Sequence, residues 1–157
     1  MNCPGESYLA HIFMNYEVLY GKLVEKHLGR KPKLEDGLAD ETVSQTERRL
    51  GFRLPESLRT YYLVTGNLPE INKYHNRLLN LTELEVNDNG FLIFMEENQV
   101  VVYRGIKLNN ITDSDPEVWQ IINEEPFETY SEELSFSEFI IKMMDWQFGE
   151  LQEPEYQ

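Results

Sequence analysis

Among 157 residues there is one cysteine, Cys3, so no intrachain disulfide can close. Nor does any apolar run approach the roughly 18 residues that read as a membrane span. The longest is "FLIFM", 91–95. The opening "MNCPGESYLAHIF" lacks a basic n-region and carries Glu6 where a secretory signal would be apolar. These absences argue against a disulfide-stapled fold and a membrane-spanning helix, and the expected compartment is the cytosol. Histidine is scarce as well. His11, His27 and His75 lie far apart and form no ligand spacing with Cys3, whereas a zinc site needs a close set of such ligands. There is no Gly-rich phosphate loop and no Gly-x-Ser-x-Gly elbow.

Positive charge is what the last third lacks. Residues 111–157 hold thirteen acids and one base, Lys142, whereas residues 1–110 hold fifteen acids and thirteen Lys or Arg. Of the formal net charge of −14, the last third therefore carries −12. Such a field repels nucleic acid and anionic membranes and attracts basic partners. Paired carboxylates (Glu96–Glu97, Glu124–Glu125, Glu132–Glu133) are too abundant to single out an acid/base couple. No cofactor, no metal and no catalysis are expected.

What the chain does have is core material: 41% apolar residues, with two Trp, nine Tyr and eight Phe. A chain of about 150 residues buries roughly 68–70% of its unfolded surface, enough for one domain over 1–157 with a frayed tail at 150–157. Tyr8, Ile12, Tyr16, Leu19 and Leu23 form a helical stripe in the first segment, closed by Gly29. Thr42 and Gln45 match capping-box spacing for a short helix that ends at Gly51. Pro55 suits the first position of the next helix, whose apolar face is Leu58, Tyr61, Tyr62 and Thr65. "RLLNLTELEV" reads as a loop with a helical turn. "FLIFMEE" and "QVVVYRGI" read as a hairpin of strands covered on both faces, "EVWQII" as a third strand and "PFETY" as a weaker fourth. Ser135 with Glu138 and Leu134 with Phe139 mark the start of a last helix, Phe136 to Phe148.

The stretch "TERRLGFRLPESLRTYYLVTGN" carries two short helices about a tight turn, with Arg48, Arg49, Arg53 and Arg59 nearby. A DNA-reading helix-turn-helix would put the start of its second helix into the major groove. Glu56 stands there, and the whole-chain field opposes phosphate. An αα corner with solvated or ion-paired arginines is the better reading, and nucleic acid is not expected as a partner.

The same stretch resembles the signature of the SUKH superfamily, whose fungal members are cell-wall assembly regulators. The pattern of a Glu, a Leu-Gly, a Leu-Pro, an apolar helix and a closing Asn-Gly falls on Glu47, Leu50–Gly51, Leu54–Pro55, Leu58 with Tyr61 and Tyr62, and Gly66–Asn67, the last pair reversed. "ENQVVVYRGI", "DSDPEVW" and "SFSEFI" resemble later segments in the same order, so the resemblance covers about residues 42–144. It implies an α+β fold, with N-terminal helices packed on a mostly antiparallel sheet and a C-terminal helix. It also implies a non-catalytic role, either as an immunity protein that neutralises a cognate toxin or as a regulatory adaptor. A toxin that engages nucleic acid is basic, and its inhibitor should be acidic. The expected contact face is Asp113, Asp115, Glu117, Glu124, Glu125, Glu128, Glu132 and Glu133, with Trp119 and Tyr130 as aromatic anchors. Next to Val118 and Ile121, Trp119 is also the natural choice for a core residue.

Overall fold

The computed structural model describes residues 15–73, 76–97 and 101–149. Helix α1, Tyr16–Leu28, buries Tyr16, Tyr20, Leu23 and Val24, a stripe at helical spacing. It ends at Gly29 in the left-handed conformation, and Lys26 places positive charge on its C-terminal dipole. Leu19 is only partly buried; Tyr8 and Ile12 of the expected stripe lie outside the described residues, as does the tail 150–157.

Helix α2, Asp40–Leu50, starts two residues before the expected capping box. Ala39 occupies its N-cap and offers no side-chain acceptor, so Thr42 is already inside the helix. Asp40 and Glu41 in the first turn stabilise that end through the dipole instead. The helix stops at Gly51, whose φ of 87° is a conformation that favours glycine. Helix α3, Glu56–Thr65, follows with Pro55 as its N-cap, one residue earlier than the first helical position. Leu58, Tyr61, Tyr62 and Thr65 are buried as the spacing predicts, and so are Ser57, Arg59 and Thr60. Gly66 closes α3 with an ordinary right-handed φ of −60°. Its role is steric: a Cβ there would sit 2.5 Å from the Tyr62 carbonyl oxygen and 2.8 Å from the Leu38 side chain.

A charge cluster around the buried Arg59 ties the corner together. Glu47 Oε2 accepts from the Leu54 N–H at 2.8 Å and from Arg59 Nε at 3.1 Å. Arg59 also donates to Asp40 Oδ1 at 2.8 Å and Ser44 Oγ at 3.2 Å. The other arginines are engaged too. Arg48 pairs with Glu41 and Arg53 approaches Glu56 at 3.6 Å, and Arg49 donates to the Leu81 carbonyl at 2.9 Å. This is the αα corner with solvated or ion-paired arginines that the sequence predicts, except that Arg49 is held by a backbone carbonyl.

After the one-turn helix α4, Pro69–Asn72, the chain enters an antiparallel sheet. Its strands are β1 Asn76–Leu78, β2 Glu85–Val86, β3 Phe91–Glu97, β4 Val102–Lys107, β5 Glu117–Ile122 and β6 Glu128–Ser135. The order is β1-β3-β4-β5-β6, with β2 also paired to β3. "RLLNLTELEV" thus supplies two short strands around a helical turn rather than a loop alone, and the weak fourth strand is the longest in the sheet. Phe91 to Met95 are all buried, but in β4 only Gly105 and Ile106 are. The expectation of two covered faces therefore holds along β3, but in β4 only at Gly105 and Ile106, the rest of the strand being half-buried.

Helix α5, Phe136–Phe148, packs against β5 and β6. Its capping box forms as the sequence predicts, with Ser135 and Glu138 bonding each other's backbone. Phe136, Phe139, Ile140, Met143 and Met144 are its buried side. Aromatic contacts run continuously from α1 to the sheet: Tyr20 to Tyr61 at 5.1 Å, Tyr61 to Phe136 at 6.0 Å, and Phe136 to Phe94 at 5.1 Å. The buried phenols are hydrogen-bonded, Tyr20 to the Ser57 carbonyl, Tyr61 to Asn72 Oδ1 and Tyr62 to the Leu79 carbonyl. The architecture is α+β, with N-terminal helices, an antiparallel sheet and a C-terminal helix.

Replacing Glu47 by Ala leaves the Arg59 guanidinium, 8% exposed, short of one carboxylate partner. It should lower the unfolding free energy by about 3 kcal/mol in a urea titration, and Glu47→Gln, which keeps an acceptor for the Leu54 N–H, should lose less.

Candidate partner-binding face

Alternation along the strands sorts the acidic segment onto two sides of the sheet. Arg104 lies on the α5 side, its guanidinium 5.7 Å from the Phe139 ring centre. Glu132 meets it there, Oε2 to Nε at 2.6 Å. Arg104 pairs in register with Gln120 and Gln120 with Tyr130, so neighbouring Trp119 and Ser131 point to the opposite side. Trp119 is half-buried on that side, with Phe91 at 6.3 Å and Lys107 Nζ 4.0 Å above its ring. Its Nε1 is buried with no hydrogen-bond partner among the described residues. Trp119 is thus packed into the outer face of the sheet and does not project as an anchor.

Three of the acids expected to face a partner are held within the protein. Asp115 accepts the Ser137 N–H at 2.9 Å and its hydroxyl at 2.6 Å, fastening the first turn of α5. Glu117 accepts from the Ser131 hydroxyl. Glu132 is committed to Arg104. The others point outward: Asp113 before β5, Glu124, Glu125 and Glu128 around the β5–β6 turn, and Glu133 late in β6. Glu133 takes a φ of 59°, unusual for a residue with a side chain. Its N–H is satisfied by Ser131 Oγ at 2.9 Å.

The structure does not bring these residues into one patch. Strand β5 separates Asp113 and Asp115 from Glu124 and Glu125 by roughly 20 Å of extended chain. The hairpin tip, however, gathers Glu124, Glu125 and Glu128 with two exposed aromatics, Phe127 at 40% and Tyr130 at 50%. The Tyr130 hydroxyl donates to Glu128 Oε2 at 2.7 Å. That bond to a carboxylate, above all, raises the phenol above its ordinary pKa. Phe127 is absent from the face expected on sequence, although a Phe between Pro126 and Glu128 in an acidic stretch has few apolar neighbours to pack against.

The family-motif residues lie elsewhere. Glu47, Leu50, Gly51, Leu54 and Pro55 form the corner described above. Gly66 and Asn67 close α3, and Asn67 bonds back to the turn at Glu35 and Asp36. Beside them opens a mostly apolar cavity of about 350 Å³ between Leu38, Tyr62, Leu68 and residues 78–82. Among the described residues, no three His, Cys, Asp or Glu side chains are grouped to hold a metal. No described helix is long and apolar enough to cross a membrane.

Residues 37–142 match the model of the SMI1 / KNR4 family (SUKH-1). The match spans well over half the chain, from the turn before α2 into α5, and the chain belongs to that family. No curated protein and no solved structure shows a significant match. Family membership is consistent with an immunity protein or a related regulator, which act by binding other proteins.

The two sets of acids should separate in stability measurements. Asp115→Ala, which removes a helix-end acceptor, should cost about 1 kcal/mol in urea unfolding. Glu124→Lys and Glu125→Lys, at exposed turn positions, should each stay within about 0.5 kcal/mol of the parent.

Proposed function

We propose that this protein is a non-catalytic immunity protein of the cytoplasm, one that binds a cognate toxin domain and blocks it. The toxin is basic, of the kind that engages nucleic acid, and the contact is made by the acidic C-terminal third. The observation that carries this reading is the hairpin tip. There Glu124, Glu125 and Glu128 stand exposed around Phe127 and Tyr130, in a chain whose net charge is −14.

The physical logic is complementarity. A surface that grips phosphates is lined with Lys and Arg, and an acidic inhibitor can occupy it in place of the nucleic acid. Opposite fields also steer the encounter, raising association from a neutral 10⁵–10⁶ toward about 10⁸–10⁹ M⁻¹s⁻¹ at low salt. Exposed aromatics ringed by charge are suited to anchor the contact once formed, since Tyr and Trp dominate binding energy at such centres. On this reading Asp113 and Glu133 add to the long-range field. Asp115, Glu117 and Glu132 hold the scaffold and contribute their charge from within it.

Affinity capture from the native lysate at low and at high salt tests the assignment. Recovery of a basic nuclease-like or deaminase-like domain that is lost as salt rises is the expected result. Recovery of signalling or envelope-assembly components instead would move the protein to the regulators of its family. With the captured partner in hand, the triple reversal of Glu124, Glu125 and Glu128 to Lys should slow association by about tenfold or more at low salt and leave the melting temperature unchanged. Unchanged affinity together with unchanged salt dependence would overturn the acidic-face reading.

A further inference from the structure

We propose that the free edge of β6 receives an extended basic segment of the partner as an added antiparallel strand. This deepens the acidic-face reading and rests on it: side-chain charge brings the partner in, and main-chain hydrogen bonds hold it. The sheet ends at β6 on one side. Its other side is formed by β1 and β2, of three and two residues, and Lys73 bridges to Arg77 beside β1. Strand β6, of eight residues, is the long edge among the described residues.

The register shows which backbone groups are open. The Asn123 N–H donates to the Val101 carbonyl at 2.8 Å across β4 and β5. In an antiparallel ladder, alternate residues face alternate neighbours, so Trp119 and Ile121 direct their backbone groups to β4. Gln120 and Ile122 then direct theirs to β6, where their partners are Tyr130 and Glu128. Thr129 and Ser131 are left with N–H and C=O pointing away from the sheet. Past them the edge closes, because Glu133 turns to a φ of 59° and gives its N–H to Ser131 Oγ.

The side chains select the occupant. A second copy of this chain would set Glu128 and Glu132 against acids, and like charges opposite each other destabilise a strand pair. A strand with cationic residues at alternate positions meets Glu128 and the exposed Tyr130 on the α5 side and places its other side chains over Thr129 and Ser131. Strand addition of this kind draws affinity from the main chain and specificity from alternate side chains.

The test uses the full chain and a blocked peptide of alternating lysine and valine at low salt, with amide exchange followed by NMR. Thr129 and Ser131 should exchange about tenfold or more slowly when peptide saturates the protein. The same peptide N-methylated at alternate backbone positions keeps its charge but loses pairing bonds, and should bind about tenfold to a hundredfold more weakly. Thr129→Pro should weaken the unmodified peptide to a similar degree and Thr129→Val should not. Equal binding of the two peptides, with unchanged exchange at Thr129 and Ser131, would overturn the edge while leaving the acidic face standing. Failure of both peptides to bind would overturn the edge and remove the charge attraction on which it rests.

Discussion

Arg59 is a guanidinium almost without solvent, and the corner between α2 and α3 is organised around it. Burying a cation is unfavourable unless its hydrogen bonds are met. Here Glu47, Asp40 and Ser44 meet them from the preceding helix. Glu47 also accepts the Leu54 N–H, so one carboxylate joins the helix, the turn and the next helix. The cluster holds the start of α3 against α2, and further along α3 Tyr61 meets both Tyr20 and Phe136, with aromatic contacts extending to Phe94 in the sheet. The Leu-Gly and Leu-Pro pairs belong to the same device: Gly51 supplies the left-handed stop, and Leu54 and Pro55 are buried where the turn closes.

Negative charge is used in two ways in the last third of the chain. Asp115, Glu117 and Glu132 each accept a hydrogen bond from a nearby donor, and so act as structural acceptors for α5 and the β5–β6 hairpin. Glu124 and Glu125 are exposed at its turn, and Glu128 accepts the Tyr130 hydroxyl at its base. Net charge and its distribution govern how a protein meets its partners, not how it folds. That division leaves Glu124 and Glu125 exposed to solvent while the engaged acids keep the hairpin in shape.

How much of this is legible in the sequence depends on whether the signal is local. The last helix can be read from Ser135 to Phe148 because capping and periodicity lie within a few residues of each other. Pairing of the corner arginines is legible too, since Glu41 and Glu56 stand within one or two turns of Arg48 and Arg53. The Thr42–Gln45 spacing misleads because it is common, and Asp40 and Glu41 serve the helix start through their charge instead. An apolar run says nothing of what lies over it, so β4 reads as doubly covered throughout when most of it is only half-buried.

The chain by itself determined the long helices, strands β3 to β6, the α+β class, the family and the concentration of charge in the last third, since all of these follow from periodicity, capping, short motifs and composition. Only the tertiary structure decided which acids are free. That choice depends on which donor each carboxylate meets in the folded chain: Arg104 for Glu132, 28 residues away, and Ser137 for Asp115, 22 residues away. Strand pairing likewise left β6 at the edge and turned Thr129 and Ser131 outward, because register is a relation between distant segments that no local pattern contains.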